Sequence, residues 1–262
     1  MSVPPNKVPR FLKGVTDPDI PWAKYRALVD YVDHVLTPLL QRPRVAAGIT
    51  AFTSDHGESF GEHGIWWNHA GVYPATTHVP LVLAWPGAEA SVVDVPVRQA
   101  DLGMTLLLLA GLDPAKFQGR DLRHALEPKP RTSPRFTLGY HGRLASIDDG
   151  RWFLVLHLLE ESSDDGKFTR QPGEVEIFDK LVDPRCERNL VESRLDQARA
   201  LRERLLDWLS AGDVEGFRAE YHVKAAIDSV LAELGYAGGA ELTGEWYDPD
   251  RGDSFLERFG EH

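Results

Sequence analysis

Two apolar runs rich in small and β-branched residues, Val45 to Thr53 and Val79 to Trp85, enclose a polar stretch punctuated by Gly57, Gly61, Gly64 and Gly71. Each run has the composition of a strand buried on both faces, where both rows of side chains meet apolar neighbours. The stretch between them is too long for a hairpin turn. The first run leads into Ser54-Asp55-His56-Gly57, so an acid and an imidazole leave a strand at its carboxyl end. Open α/β sheets hold their ligands there.

The flanking sequence predicts an α/β layered pattern. A helix beginning at Trp22 carries Tyr25, Leu28, Val29, Val32, Val35, Leu36 and Leu39 at three- and four-residue spacing, and Pro38 should kink or end it. Five prolines before Trp22 predict an extended lead-in, and Gln41 to Arg44 a turn. After the second run, Asp101 is placed to cap a helix that ends at Gly111. Pro128 to Pro134 reads as a domain boundary, giving residues 1–127 and 134–262. Beyond it, Phe136 to Tyr140, Arg143 to Ile147, Trp152 to Leu158 and Glu174 to Phe178 read as short strands between turns. Helices are expected near Leu195 to Leu209 and Phe217 to Leu234, which makes the second part a small antiparallel α+β subdomain.

A formal net charge of -11 argues against non-specific binding to nucleic acid or anionic membranes, which both need a basic surface. The longest apolar run, Leu102 to Leu112, is too short to span a bilayer. The first residues hold no apolar signal segment, so the chain as written reads as soluble and cytoplasmic. With Cys186 alone, no internal disulfide forms.

Asp55 and His56 can reach one metal because the chain turns at Gly57. A carboxylate with an imidazole suits Zn2+ or Mn2+, and Ca2+ where further oxygens complete the shell. A plain turn is the other reading of Asp55-His56-Gly57. Glu58 and Glu62 are either groups that orient His56 or His69, or solvated loop acids. His63 reads as a loop-ordering residue, His78 as packing before a strand, and His141 as a turn histidine. His69, taken alone, reads as well as a surface-loop histidine.

Ser54-Asp-His-Gly-Glu-Ser-Phe-Gly-Glu-His-Gly64, with Trp66, His69, Tyr73 and Thr77-His-Val-Pro-Leu-Val-Leu-Ala-Trp-Pro-Gly87, resembles the sulfatases of the alkaline-phosphatase superfamily. Tyr31-Val-Asp33, Asp101 to Gly111, Gly150 to Leu154, Glu176 to Leu190 and Leu234-Gly-Tyr236 continue the resemblance in the same order. It implies the C-terminal part of an alkaline-phosphatase-like mixed-sheet domain plus the small antiparallel α+β subdomain. It also implies Asp55 and His56 as ligands of a divalent cation, most often Ca2+, with Mn2+ or Zn2+ as alternatives. His69 would assist departure of the leaving group from a sulfate ester of a small molecule or glycan.

Such enzymes make a formylglycine nucleophile from Cys or Ser in Cys/Ser-x-Pro-x-Arg. Cys186 is followed by Glu187-Arg188-Asn189-Leu190, and Ser2-Val-Pro-Pro-Asn6 has Asn in place of Arg. The family's paired aspartates after its first strand are likewise missing, since Asp148-Asp149 and Asp164-Asp165 sit in apparent turns. The resemblance therefore implies a truncated chain, inactive alone. The alternatives are a phosphodiesterase or phosphonate monoester hydrolase of the same superfamily, or a non-catalytic remnant. Apolar surface around Val45 to Thr53 should then be bare.

Overall fold

The computed structural model describes residue 17 and residues 19–115, 117–127, 129–130, 132–139, 142–163 and 166–211. The expectations for the proline-rich lead-in before residue 17, for His141, for the Phe217 to Leu234 helix and for Leu234-Gly-Tyr236 lie outside them. The chain divides into two compact units, Met1–Ala198 and Arg199–His262.

Helix α1 (Asp19–Leu40) takes Pro38 into its last turn and stops just after it. Its apolar stripe is exposed except at the half-buried Leu36. Trp22 nevertheless stacks on Phe60 with ring centroids 4.5 Å apart, and Tyr25 meets the same ring edge-on at 4.9 Å. That aromatic cluster ties α1 to the loop carrying Asp55 to His69.

The first apolar run forms less strand than expected. Pro43 opens a one-turn helix, α2 (Pro43–Ala46), because its fixed φ suits a first helical position and its missing N–H is not needed there. Only β1 (Thr50–Thr53) is extended. It pairs antiparallel with β4 (Leu81–Ala84) in a two-stranded sheet. Neither strand is buried on both faces: Phe52 is 40% and Val82 61% exposed. The bare apolar surface expected here is present.

Between these strands the polar stretch folds into a hairpin of β2 (Ser59–Phe60) and β3 (Trp66–Asn68), followed by the short helix α3 (Pro74–Thr77). Helix α4 (Gln99–Leu109) begins two residues earlier than expected, and Asp101 is not its cap. Its carboxylate instead accepts the Arg98 and Arg120 backbone N–H groups, each at 2.9 Å. Gly111 (φ 70°) ends that helix as the sequence predicts.

The strands of the second part form as the alternation predicts: β5 (Arg135–Leu138), β6 (Leu144–Asp148), β7 (Trp152–His157) and, after a small hairpin of β8 (Glu161–Ser162) and β9 (Thr169–Arg170), β10 (Val175–Asp179). The four longer strands make one antiparallel sheet in the order β10-β7-β6-β5. The β8–β9 hairpin carries too few residues to show a period. Helix α5 (Leu195–Ala211) follows, with Ala198, Leu201, Leu205 and Leu206 buried at helical spacing. No helix among the described residues is long and apolar enough to cross a membrane.

Val72 and Tyr73, just beyond β3, join Leu144, Phe153, Val155, Phe178 and Cys186 in a buried core. Tyr73 Oη donates to the Glu176 carboxylate, which also faces His157 Nε2 at 3.4 Å and the Arg170 guanidinium at 2.6 Å. The loop that bears the histidines is thereby anchored, at its far end, on the four-stranded sheet.

Candidate active site

β1 delivers Asp55 and His56 into a turn that is held from three sides. Gln99, the first residue of α4, donates its Nε2 to the carbonyls of Ser54 (2.5 Å) and Asp55 (3.1 Å). Ser54 Oγ donates to the His56 carbonyl at 2.7 Å, and the His56 N–H donates to Asp55 Oδ1 at 3.0 Å. The Gly57 N–H donates to Thr76 O at 2.8 Å, drawing the turn against α3. At that approach a Cβ on residue 57 would lie 2.1 Å from the Ala75 carbonyl oxygen, so only glycine fits.

The hairpin supplies the remaining groups through its register. Ser59 pairs with Asn68, whereas Phe60 pairs with Trp66. Trp67 is the extra residue of this bulge and takes φ 50°. Extending the Ser59–Asn68 register outward by one residue sets Glu58 across from His69, and Glu58 Oε2 lies 3.6 Å from His69 Nδ1. The His56 ring stacks on the His69 ring, with centroids 3.8 Å apart and planes inclined by 18°. One donor atom from each of His56, Glu58 and His69 lies within 4.8 Å of the others.

His56 is also oriented from its other side. Its Nδ1 is 2.8 Å from the Gly57 carbonyl, which can only accept, so the proton is assigned to Nδ1. The lone pair then sits on Nε2, which is buried without a hydrogen-bond partner and lies 3.6 Å from Asp55 Oδ2. Asp55 itself is 77% exposed in its side chain. The backbone N–H of His56 holds its carboxyl below the usual range, against a small opposing effect of burial. Burial pushes the Glu58 carboxyl up, opposed by the neighbouring His69 and His56.

Of the sequence-predicted residues, His56 and His69 thus come together across one turn and one bulged hairpin, while the exposed Asp55 carboxylate lies beside His56 alone. Glu58 is a direct member of the cluster. Glu62 turns away from it and accepts the Phe60 N–H at 2.5 Å. His63 stacks on Tyr73 at 3.6 Å and orders the loop, with burial driving its pKa down. His78 is exposed at the end of α3 rather than packed, because the one-turn helix before β4 leaves it facing solvent. Gln99 was not visible from sequence, since nothing in the motif pairs it with residues 44 and 45 positions earlier. Glu58 did carry a signal, two residues from His56 in a segment that alternates.

The family resemblance implies a divalent cation, and the donor set tests which kind. The orphaned His56 Nε2 fits a cation. Calcium takes six to eight oxygens, whereas the His/Cys/Asp/Glu cluster of the described residues offers two imidazoles and one carboxylate. On these residues alone a calcium ion would be short of oxygen ligands.

The sulfatase family model matches residues 13–112. Among curated relatives, the chain is 33% identical over 110 residues to the uncharacterized sulfatase YidJ of Escherichia coli, covering 40% of this chain and 22% of that protein. It is 28% identical over 228 residues to the choline-sulfatase of Rhizobium meliloti, covering 80% of this chain and 41% of that one. The chain therefore spans less than half the length of these two relatives. Among solved structures, BT4656 in complex with its substrate D-glucosamine-2-N,6-O-disulfate shares the fold at TM-score 0.53 and 21% identity, over 68% of this chain and 37% of that one. The motif order, the family match over residues 13–112, the curated relatives and the shared fold converge: residues 13–112 form a sulfatase-type domain, and the chain is similar in sequence and fold to sulfatases.

Proposed function

We propose that the turn and hairpin from Asp55 to His69 form part of a site that hydrolyses sulfate esters of a small molecule or glycan. The observation that carries this reading is the stacking of His56 on His69, thirteen residues apart, within the family-matched segment. His69 gives a proton to the oxygen that leaves sulfur, where negative charge builds as the S–O bond breaks. Asp55 and His56 are the residues that would hold a divalent cation, which when bound would supply positive charge beside the sulfate oxygens. Gln99 keeps both in place through the Ser54 and Asp55 carbonyls. Choline-sulfatase and the disulfated glucosamine of BT4656 support the substrate class without choosing within it.

The 262 residues contain no Cys/Ser-x-Pro-x-Arg segment. The purified chain is therefore expected to bind sulfate esters without turning them over. Binding of nitrophenyl sulfate, followed by NMR titration, should weaken about tenfold in His69→Ala, the loss of roughly one charge-assisted hydrogen bond. Preference for the phosphate or phosphonate ester would replace this reading with phosphoryl chemistry. Release of nitrophenol from any of them by the chain alone would overturn its assigned inactivity.

A further inference from the structure

We propose that Glu176 and Tyr73 are positioning residues for His56: a hydrogen-bonded chain that starts in the four-stranded sheet fixes the orientation of its imidazole. Both act through the backbone of α3 rather than on a substrate, and their role rests on the reading of His56 as a residue of the ester site.

The chain begins at Glu176 of β10, whose buried carboxylate accepts the Tyr73 hydroxyl. Arg170 at 2.6 Å and His157 Nε2 at 3.4 Å hold the same carboxylate from its other sides. The Tyr73 ring lies in the core with Leu144, Phe153 and Phe178. Burial, with the Glu176 charge beside it, pushes the pKa of that hydroxyl well up, so it stays a donor. Tyr73 is also the N-cap of α3. Its carbonyl accepts the N–H groups of Thr76 at 2.9 Å and Thr77 at 3.0 Å, and the hydroxyls of the same two residues at 3.0 and 3.1 Å. The carbonyl of the buried Thr76 accepts the Gly57 N–H at 2.8 Å. Gly57 in turn presents its own carbonyl to His56 Nδ1 at 2.8 Å.

The last link sets the ring because little else does. His56 Nε2 has no hydrogen-bond partner, which leaves the Gly57 carbonyl and the stack on His69 as the holds on the imidazole. Gln99 and Ser54 grip the carbonyls of Ser54, Asp55 and His56, which fixes the backbone before the ring but not the ring's rotation. The Gly57 carbonyl decides which nitrogen carries the proton, and hydrogen bonds weaken steeply as their angle opens. A small movement of Gly57 is therefore enough to release the ring. The turn and α3 move together, since they touch so closely that a Cβ on residue 57 would lie 2.1 Å from the Ala75 carbonyl oxygen. α3 in turn starts at the residue whose hydroxyl Glu176 holds.

The test is NMR of the nitrogen-labelled chain at a pH well above the ordinary imidazole range, in variants that circular dichroism shows to be folded. It reads the ratio of Nδ1- to Nε2-protonated His56 and the contact between the His56 and His69 rings. In Glu176→Ala the ratio should fall about fivefold, the worth of one ordinary hydrogen bond, and the ring contact should weaken with it. Glu176→Gln keeps an amide oxygen for the Tyr73 hydroxyl and should restore both. Tyr73→Phe keeps the ring in the core and removes only the hydroxyl, so it carries the test if Glu176→Ala does not fold; the ratio should fall at least about twofold. Leu154→Ala is the control for stability alone. Leu154 is buried on β7, on the face opposite Phe153 and Val155, so its loss opens a cavity away from Tyr73 and should leave the ratio unchanged. An unchanged ratio in folded Glu176→Ala or Tyr73→Phe, no rescue by Glu176→Gln, or an equal fall in Leu154→Ala would overturn the positioning role. Nitrophenyl sulfate binding on the same samples keeps the two readings apart: a fallen ratio with binding intact supports the chain from Glu176 and counts only against His56 as a residue of the ester site.

Discussion

Replacing Glu176 by alanine is expected to destabilise the folded chain by about 3–5 kcal/mol, the effect of removing one partner from a buried charged network. The carboxylate is buried and carries three donors: Tyr73 Oη, Arg170 at 2.6 Å and His157 Nε2 at 3.4 Å. Its removal strands the buried Tyr73 phenol and takes one of two carboxylates from the Arg170 guanidinium, which keeps Glu174 at 2.9 Å. Burial by itself would raise the Glu176 pKa, but hydrogen bonds from His157 and Tyr73 and the charge of Arg170 outweigh it and lower the pKa to about 2. The sign of the linkage follows. A depressed carboxyl contributes stability above its unfolded value, near 4.5, and that contribution is lost as pH falls through about 2. It is worth on the order of 3 kcal/mol. Urea unfolding between neutral pH and pH 2 should therefore show an acid loss in the parent that Glu176→Gln lacks. The Arg151–Asp179 pair is the control: Arg151 is 56% exposed, so Arg151→Ala should cost no more than about 1 kcal/mol. Equal effects at the two places would refute the buried network as the anchor of the loop.

Gly57→Ala should be nearly as damaging, at about 3 kcal/mol, the upper part of the range for forced overpacking. The added methyl would sit 2.1 Å from the backbone oxygen of Ala75, and a backbone oxygen cannot rotate away as a side chain can. Relief requires the turn to lift from α3, which breaks the 2.8 Å hydrogen bond from the Gly57 N–H to Thr76 O. His56 moves with it, because its Nδ1 is held by the carbonyl of the same glycine. The unfolding temperature should fall and the NMR resonances of the stacked His56 and His69 rings should move together in this variant. A Gly57→Ala chain that unfolds at the parent's temperature with those histidine resonances unmoved would sink this account.

Much of the second part was legible because its strands alternate and its turns carry Asp and Gly: β6, β7 and β10 fall within one residue of the expected positions. The first apolar run was misjudged for a physical reason. Composition reports that a segment is apolar, not that a partner layer covers it. Pro43 then claims Val45 and Ala46 for a helical turn, leaving a four-residue strand exposed from Ala51 to Thr53. Asp101 was placed at a cap because capping residues and third-position acids look alike until the helix start is known.

For the site, the linear order of residues was sufficient to put Asp55 and His56 just past the end of a strand and His69 in the stretch beyond, and to show the resemblance to sulfatases that residues 13–112 bear out. Those are local facts, carried by neighbours along the chain and by motif spacing. The partnership of Glu58 with His69 was decided only by tertiary structure, since it depends on a hairpin register that one bulged tryptophan shifts by a residue. So was the hold of Gln99 on the Ser54 and Asp55 carbonyls, and that of Glu176 on Tyr73 across 103 positions. Such contacts join segments whose meeting is set by how sheets and loops pack, and no period in the sequence encodes the distance between them.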